Sequence, residues 1–382
     1  MKVLLVGEYS GVHTNLAKAL RAKGVDVFCV SDGDNYKNFP TDLLIKYKKT
    51  ESKVKLLTFL LQLYSLLKLY LGLRGILQIR KYINDIKKLK GYDVVQLINP
   101  IALQGFGPIV NFFFIRFLKK HNKKIFLGVF GDDYVYIKGI LNEKNRKTIF
   151  SQMNLENIKN YLPSLLLVYG LFHKTLNFYI ISIANRIIPG GYDYYLYYKK
   201  FENCNEIVPF PIEIKDENTN KFIDFPIKIF HGWQPGREFQ KGNFILDEAI
   251  HNIKKKYPNK IEYEIIGGIP YSEYIKKFNQ AHILIDQCFS LDRGMNALLG
   301  MASGKVVASG FHKDLEKFYN VKAKDILIWA TPQVEDIYSK IEQIILNPEM
   351  INEISKNAYN FVKKYHNLEY VAEIYLEIWK KH

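Results

Sequence analysis

The chain has 382 residues, too many for one ordinary domain and enough for two of roughly 150–200 residues each. Its composition, 48% hydrophobic and 24% charged, provides for two cores and excludes general disorder. The three cysteines (Cys29, Cys204 and Cys288) are too few and too widely spaced for a disulfide framework or a CxxC metal site, and they favour a reducing compartment. The opening MKVLLVGEYSG has no charged region before an apolar stretch, so we expect no secretory signal and a cytoplasmic protein.

The net charge of +16 lies in one half of the chain. Residues 1–200 contain 31 Lys and Arg against 13 Asp and Glu, or +18, whereas residues 201–382 contain 23 against 25, or −2. This asymmetry favours a polyanionic partner: nucleic acid, an anionic membrane face or a diphosphate-bearing substrate. A lysine-rich compositional bias is the alternative, but it would charge both halves similarly. Neither an RNP-like aromatic pattern nor a helix-turn-helix is apparent, so we do not expect nucleic-acid binding.

The first half begins with a buried strand at 2–6, which ends at Gly7 and runs into a helix at 13–23. Strand, glycine loop, helix and strand in this order are typical of a doubly wound parallel α/β sheet. Further strands are predicted at 25–30, 93–98 and 124–130, a helix at 107–120, and short apolar runs at 186–188 and 206–208.

A stretch rich in proline and polar residues at 209–226 predicts a linker, after which the βα alternation restarts. We therefore predict domains at 1–208 and 227–350, with C-terminal helices at 351–382 that cross back to the first domain. The strands predicted in the second half are 227–231, 261–266, 282–286, 305–309 and 326–329, and the helices are 241–256, 271–280, 294–303 and 332–345.

Two long apolar stretches, 56–73 and 161–183, raise the question of a membrane. Lys68 interrupts the first, and Pro163 and Lys174 interrupt the second. A charge at mid-bilayer costs about 2.5–3.5 kcal/mol, and a spanning helix would break the βα order, which disfavours spanning. Buried core helices and helices lying in the membrane interface remain open, and the basic half favours peripheral attachment to an anionic inner leaflet.

Candidate polar residues follow two strands of the first half. The GxGxxG and P-loop motifs are absent, but Ser10, Gly11 and His13 stand where a helix begins and could approach a ligand. His13 is a candidate general base or acceptor contact, or simply a polar residue at a helix start. Asp132 and Asp133 end another strand; they could orient a sugar hydroxyl or take a proton, or be a helix cap and a solvated acid.

In the second half, the loop HGWQPGREFQKG at 231–242 places Arg237 and Lys241 four residues apart at a helix start. An arginine fork and a lysine point charge suit a diphosphate, although two surface cations would give the same spacing. Later, Asp286 ends a strand and Gly294 opens a helix whose amides can meet a phosphate oxygen.

The second half has the order strand, GR…KG, helix and then IDQCFSLDRGMNALLGMASGKVV (285–307). This order resembles the donor domain of GT-B glycosyltransferases, particularly the retaining family four of bacterial surface-glycan synthesis. GEYSGVHTNLAKALRAKGVDV resembles their acceptor domain, EIVPFPIE their interdomain connection and FVKKYHNLEYVAEIYLEIWKK their closing helices. The resemblance implies two Rossmann-like domains facing across a cleft. It also implies sugar transfer from a UDP- or GDP-linked donor to a glycan or lipid-linked acceptor, with no metal or other cofactor.

The resemblance also assigns roles to residues. Arg237 and Lys241 would stabilise the leaving diphosphate, His13 and Asp132 would act in catalysis or orient the acceptor, and 266–270 would lie near the nucleotide base. The donor would contact Gly11, Gly232, Arg237, Lys241, Gly268, Ile269, Gly294, Met295, Asn296 and Ala297. The acceptor would contact Ser10, His13, Asp132 and Asp133.

One departure from the family pattern keeps other functions open. The family has two glutamates eight positions apart, the second of which grips the donor ribose, and here these positions are Leu291 and Leu299. A catalytically silent homologue serving as a partner or carbohydrate-binding subunit is therefore an alternative, and a nucleotide-sugar epimerase on the same fold is another.

Overall fold

The computed structural model describes residues 1–34, 39–48, 55–214, 225–269 and 271–382, without the side chains of 55–60, 271 and 272. The chain forms two compact units. Unit 1 comprises Met1–Leu141, Leu162–Pro211 and Leu368–His382, and unit 2 comprises Asn142–Tyr161 and Ile212–Asn367. Residues 142–161, which the sequence does not separate from the first domain, thus belong to the second unit. Of the predicted linker 209–226, residues 215–224 lie outside the described residues.

Unit 1 is built on a parallel sheet in which six strands are described. They are β1 (Lys2–Val6), β2 (Asp26–Ser31), β3 (Leu43–Leu44), β4 (Val94–Leu97), β5 (Lys124–Val129) and β6 (Arg186–Pro189). Their order is β3-β2-β1-β4-β5-β6, so the direction of winding reverses between β1 and β4. The strands are apolar runs buried on both faces, as parallel sheets require. The apolar run at 206–208 forms no strand.

The helices of unit 1 cover this sheet. They are α1 (Val12–Ala22), α2 (Lys55–Tyr70), α3 (Ile83–Ile86), α4 (Pro108–His121), α5 (Tyr134–Leu141), α6 (Leu162–Tyr169), α7 (His173–Ile183), α8 (Tyr192–Tyr198) and, from the C-terminus, α17 (Leu368–Lys381). In α1, Leu16 and Leu20 are buried one turn apart, and Gly24 follows in the left-handed conformation (φ +75°) that ends many helices. The Trp379 indole of α17 is buried and donates to Gln96 Oε1 of β4 (3.2 Å), which fixes the last helix to the first sheet.

Unit 2 contains a second parallel sheet, in which five strands are described. They are β7 (Ile227–Gly232), β8 (Ile261–Ile266), β9 (Ile283–Ile285), β10 (Val306–Ser309) and β11 (Ile328–Trp329). Their order is β11-β10-β9-β7-β8, so here the winding reverses between β7 and β9. In open parallel sheets of this kind, ligands bind outside the carboxyl ends of the strands at such a reversal.

Helices cover the second sheet, and two short ones among them, at 313–319 and 323–326, were not predicted. The helices are α9 (Glu238–Lys241), α10 (Asn243–Lys256), α11 (Tyr271–Gln280), α12 (Met295–Ala302), α13 (Lys313–Tyr319), α14 (Ala323–Ile326), α15 (Val334–Leu346) and α16 (Glu349–Tyr365). The predicted helix at 241–256 is α10, which begins two residues later because Gly242 adopts a left-handed conformation (φ +74°), and the short α9 before Gly242 was not predicted. Each unit has its own apolar core, formed around β4 and β5 in unit 1 and around β7 and β9 in unit 2.

The two long apolar stretches are helical. The first contains α2, and the second contains α6 and α7. Among the described residues, no single helix has the length and apolar composition to cross a membrane; α6 and α7 meet that test only as a pair, and they are bent by 69° at their junction.

Candidate functional site

The strongest candidate site lies at the winding reversal of the second sheet. Strand β7 ends at Gly232, and the chain then runs through residues 233–236 into the short helix α9. Arg237 caps this helix, and the Lys241 N–H donates to the Arg237 carbonyl (3.0 Å), so the two cations stand one helical turn apart. Both are half-buried. The spacing seen in the sequence therefore becomes two cations on one turn beside the carboxyl end of β7.

Lys241 reaches across the reversal to the end of β9. Its Nζ lies 3.1 Å from Asp286 Oδ1, and the Asp286 side chain is almost completely buried. Ser309 Oγ at the end of β10 donates to the other oxygen, Oδ2 (3.1 Å). Asp286 thereby joins the ends of β9, β10 and helix α9 and holds the lysine ammonium in one place.

The same carboxylate contacts helix α12. Asn296 Nδ2 donates to Asp286 Oδ1 (3.4 Å), and the Tyr274 hydroxyl of α11 donates to Asn296 Oδ1 (3.3 Å). Lys241 and the second residue of α12 thus share one oxygen atom. This places the lysine charge beside the first turn of the helix.

The start of α12 offers backbone donors that receive no side-chain cap within the described part of the chain. Gly294 is the N-cap in an extended conformation and provides no side-chain cap. The first amides of a helix, here those of Met295, Asn296 and Ala297, have no carbonyl partner within the helix, and the helix dipole adds positive potential there. No acidic residue occupies the first turn. An anion such as a phosphate is the natural ligand of this arrangement.

The residue before Gly294 is a buried arginine that the sequence analysis did not single out. The Arg293 guanidinium is 4.8–5.3 Å from the ring centres of Phe311, Tyr319 and Phe361 and forms an ion pair with Asp292 (3.0 Å). Its Nε and Nη1 are buried, with no hydrogen-bond partner among the described residues. The aromatic enclosure fixes the loop that presents α12. Its three rings come from positions far along the chain, so the spacing of the sequence gives no sign of it.

The predicted base-binding segment follows β8. Gly267 and Gly268 are exposed, and a Cβ on Gly267 would come within 2.6 Å of the Trp233 carbonyl oxygen, so this position needs glycine. Ile269 is half-buried, and Pro270 lies outside the described residues. Leu299, at the second family glutamate position, is exposed on α12, whereas Leu291 is half-buried. An apolar side chain therefore stands on the surface where the family pattern has a carboxylate.

In unit 1, Glu8 organises the loop between β1 and α1. Glu8 is buried and accepts hydrogen bonds from the Gly11 amide (2.9 Å), the Thr14 amide (2.7 Å) and the Thr14 hydroxyl (2.6 Å). Gly11 is left-handed (φ +88°), and a Cβ there would lie 3.1 Å from the Phe39 ring. The carboxylate that satisfies the start of α1 thus comes from the loop itself. Gly11 lies at the predicted bend, and its contact with the donor stays a prediction.

His13 is a buried, neutral imidazole. Its Nδ1 donates to the Gly7 carbonyl (2.7 Å), which leaves Nε2 unprotonated and without a partner among the described residues. Burial lowers the pKa of His13 to about 3, only partly opposed by the bond to Gly7. Such a ring is a weak base in the free protein, and its assignment as a catalytic residue stays a prediction.

The two candidate aspartates occupy different environments. Asp133 is buried, caps α5 by accepting from the Tyr136 amide (2.9 Å), and accepts from the Tyr198 hydroxyl (2.8 Å). Burial is the main cause that raises the pKa of Asp133 to about 7. Asp132 is half-buried and accepts from Ser164 Oγ (3.1 Å). The geometry gives Asp133 the helix-cap role named above as an alternative, and the acceptor role of Asp132 stays a prediction.

Carboxylates cluster near Tyr9 at this edge of the first sheet. The pKa of Tyr9 is raised well above its usual value by burial and then by Asp32, Asp132, Asp34 and Asp133. The Ser10 amide donates to Asp34 Oδ2 (2.8 Å). Over the described residues, no group of three or more His, Cys, Asp or Glu side chains is arranged to hold a metal ion.

Comparison with known proteins shows the fold. No protein-family model matches the sequence, and no curated protein sequence matches it. Among solved structures, a sucrose-phosphate synthase from Thermosynechococcus elongatus is similar over 100% of this chain and 99% of its own (TM-score 0.60, 12% identity). Anabaena HepE in complex with UDP and glucose is similar over both whole chains (TM-score 0.57, 11% identity), as is the apo form of the lipopolysaccharide outer core galactosyltransferase WaaB (0.54, 12%). The predicted α/β class with two parallel sheets, the GT-B fold, is confirmed.

Proposed function

We propose that the protein is a glycosyltransferase that moves a sugar from a nucleotide diphosphate donor, UDP- or GDP-linked, to a glycan or lipid-linked acceptor. The observation that carries the proposal is the pairing of Lys241 with Asp286 beside the uncapped start of α12, at the winding reversal of the second sheet. Structures of this fold include HepE with UDP-glucose bound, which supports a donor of the same chemical class.

The chemistry of the proposed reaction requires stabilisation of a leaving diphosphate. As the bond between the sugar and the phosphate breaks, negative charge develops on the phosphate oxygens. Lys241 supplies a fixed positive charge, Arg237 supplies a planar fork, and the α12 amides supply hydrogen bonds. These groups are in place before the reaction, so they lower the barrier without reorganisation. We propose that they take the role that a divalent metal has in other sugar transfers, so that the reaction needs no metal or other cofactor.

We propose that unit 1 binds the acceptor. Ser10, His13 and Asp132 stand near the carboxyl ends of β1 and β5, where hydroxyl groups of a sugar can be oriented, whereas Asp133 caps α5. We propose retention at the anomeric carbon, with a donor phosphate oxygen taking the acceptor proton and His13 or Asp132 orienting the acceptor. The low pKa of His13 favours this orienting role over that of a general base.

The cellular setting that we propose is the cytoplasmic face of the plasma membrane, in the synthesis of a surface polysaccharide. The excess positive charge of residues 1–200 supports an anionic membrane partner. WaaB, a galactosyltransferase of the lipopolysaccharide outer core, is a similar structure whose name is consistent with an acceptor of this kind.

Two measurements test the proposal. The thermal unfolding midpoint is followed with UDP, GDP, ADP and their sugars; we expect one uridine or guanosine diphosphate to raise it, and Arg237→Ala or Lys241→Ala to abolish the rise. Lys255→Ala, at an exposed lysine of α10, is the matched control and should keep it. Mass spectrometry of reactions with the selected nucleotide sugar then shows transfer to an acceptor. Failure of every nucleotide to bind would contradict the proposal.

A second function is favoured by one observation. Leu299 is exposed on α12, at the position where the family pattern has a ribose-binding glutamate. A catalytically silent homologue, acting as a partner or carbohydrate-binding subunit, would tolerate this leucine. Donor binding without transfer to any acceptor, with transfer restored by a partner protein, would favour this second function.

A further inference from the structure

Helix α2 carries an exposed apolar stripe. Leu63, Leu66, Leu67 and Tyr70 follow one another at positions i, i+3, i+4 and i+7, the spacing of a single helix face, and their side chains are 40–56% exposed. Helices of globular proteins normally turn such a face toward the core. The exposed stripe therefore needs a partner.

A second exposed apolar group lies where α6 meets α7. Tyr169 is 62% exposed, Leu171 43% and Phe172 50%, and all three belong to the sharp bend between these helices. Beyond the bend, α7 packs into unit 1, because His173, Leu176 and Ile180 are buried. The bend thus projects from the core with aromatic side chains at its tip.

The two groups form one surface. The Leu171 amide donates to the Tyr70 carbonyl (2.7 Å), which joins the bend to the end of α2. Between them, Gly72 is left-handed (φ +72°), and a Cβ there would lie 3.2 Å from both the Leu171 carbonyl oxygen and the Phe172 ring. We call this surface the apolar face; it consists of Leu63, Leu66, Leu67, Tyr70, Leu73, Tyr169, Leu171 and Phe172.

The two chain segments that carry the apolar face contain basic residues and no acidic ones. Residues 55–84 contain five Lys and Arg and residues 162–192 contain two, whereas neither segment contains an Asp or Glu. Lys68 lies over the Tyr64 ring (4.1 Å), so its stem is held along the helix surface. An exposed apolar surface on segments that carry cations and no acidic residue is complementary to anionic headgroups above an acyl layer.

We infer that the apolar face is the membrane-docking surface of the protein, lying in the plane of an anionic leaflet with the α6–α7 bend inserted to the boundary between headgroups and acyl chains. This inference rests on the membrane association in the proposed function and identifies the residues that provide it. It excludes crossing of the bilayer by α6 and α7, because one face of α7 is committed to the core of unit 1.

The test uses the full-length protein and vesicles of phosphatidylcholine with or without phosphatidylglycerol. Sedimentation is compared for the wild type, Leu63→Ser/Leu67→Ser and Leu171→Ser/Phe172→Ser. The matched control is Leu155→Ser in unit 2, at a leucine that is 90% exposed. We expect the wild type and the control to bind only vesicles with anionic lipid and to be released by about 0.5 M salt, which shortens the screening length to a few ångströms. Each double variant should bind at least about tenfold more weakly, because the exposed halves of two large apolar side chains no longer leave water.

A depth measurement complements the sedimentation. Tryptophan fluorescence of Leu171→Trp should be quenched by brominated acyl chains, and that of Leu155→Trp should not. The inference would be overturned if both double variants bound vesicles as tightly as the wild type, or if binding did not depend on lipid charge. It would also be overturned if the protein resisted alkaline extraction from the vesicles, or if the wild type formed a dimer that both double variants abolish. Binding of the nucleotide diphosphate is measured on the same variants. If a double variant loses vesicle binding but still binds the nucleotide, the docking surface is supported. If the wild type binds no nucleotide, only the proposed glycosyltransferase activity is contradicted.

Discussion

Lys241 Nζ of α9 lies 3.1 Å from Asp286 Oδ1 at the end of β9, although 45 residues separate them in the chain. The pair spans the winding reversal of the second sheet and shares its oxygen with Asn296 of α12. A buried carboxylate so close to a proposed phosphate site would repel the ligand if it were not neutralised by the lysine and by its hydrogen bonds. In this position, the carboxylate also holds the lysine ammonium in place before the donor binds.

Removal of the carboxylate should therefore weaken both the fold and the site. We expect Asp286→Ala to lower the free energy of unfolding by about 3 kcal/mol, because it leaves partly buried Lys241 without its counter-charge and Ser309 without its acceptor. Urea unfolding measures this change. The exposed ion pair of Lys88 with Asp85 provides the control, since Asp85→Ala should cost about 0–1 kcal/mol. Equal costs for the two variants would show that the Asp286 pair stabilises no more than a surface pair.

Gly242 should tolerate no side chain. It is left-handed (φ +74°) between α9 and α10, and a Cβ would lie 2.3 Å from Cys288 Sγ, which is buried. Gly268 is also left-handed (φ +68°), but nothing lies within 4 Å of its Cβ position. We expect Gly268→Ala to cost about 1–2 kcal/mol from backbone strain alone, and Gly242→Ala to cost clearly more and to displace Lys241. Thermal unfolding of the two variants measures this difference. Equal losses of stability in Gly242→Ala and Gly268→Ala would contradict it.

Stability in acid should depend on His13. Its pKa is lowered from 6.5 to about 3 in the folded protein, so the unfolded chain binds the proton more readily. The stability that the neutral ring contributes is present above pH 6.5 and is lost as the pH falls from about 6.5 toward 3. His13→Gln removes the titrating group. The difference in unfolding free energy between wild type and variant should therefore shrink across this range, and a difference independent of pH would contradict the assignment.

The Arg293 enclosure predicts a non-additive pair of substitutions. Arg293→Met keeps an apolar chain among Phe311, Tyr319 and Phe361 but leaves buried Asp292 without its cation, which should cost about 3–5 kcal/mol. Adding Asp292→Asn to that variant should restore part of the loss, because no buried charge remains. Urea unfolding of the two single variants and the double variant gives the coupling. Simple addition of the two losses would mean that the ion pair is energetically unimportant.

Much of the fold could be predicted because short-range patterns determine it. Strand β8 (Ile261–Ile266) and helix α11 (Tyr271–Gln280) have the predicted bounds, and β1 ends at the predicted glycine. Helices α5 and α8 were not predicted, and α6 and α7 were not separated from each other, since the stretch 161–183 that contains them is apolar nearly throughout and its periodicity is weak. The short helix α9 was also missed, because the four residues Glu238–Lys241 are too few to show a helical period in the sequence.

The candidate site could be predicted only where its residues are neighbours in the chain. The turn that joins Arg237 and Lys241, and the helix start at Gly294, follow from local spacing. The partner of Lys241 and the rings around Arg293 come from distant segments that only the sheet order brings together. Long-range pairs of this kind leave no periodic signal in a single sequence.

The most direct test of the central claim compares uridine, UMP and UDP, or the guanosine series if that base is preferred, by isothermal titration calorimetry. If Lys241, Arg237 and the α12 amides hold the pyrophosphate, the diphosphate should bind about tenfold or more tightly than the monophosphate, as charge-assisted hydrogen bonds to a second phosphate group imply. This ratio should fall toward one in Lys241→Ala and remain in Lys255→Ala. An equal ratio in the wild type and Lys241→Ala would contradict the account.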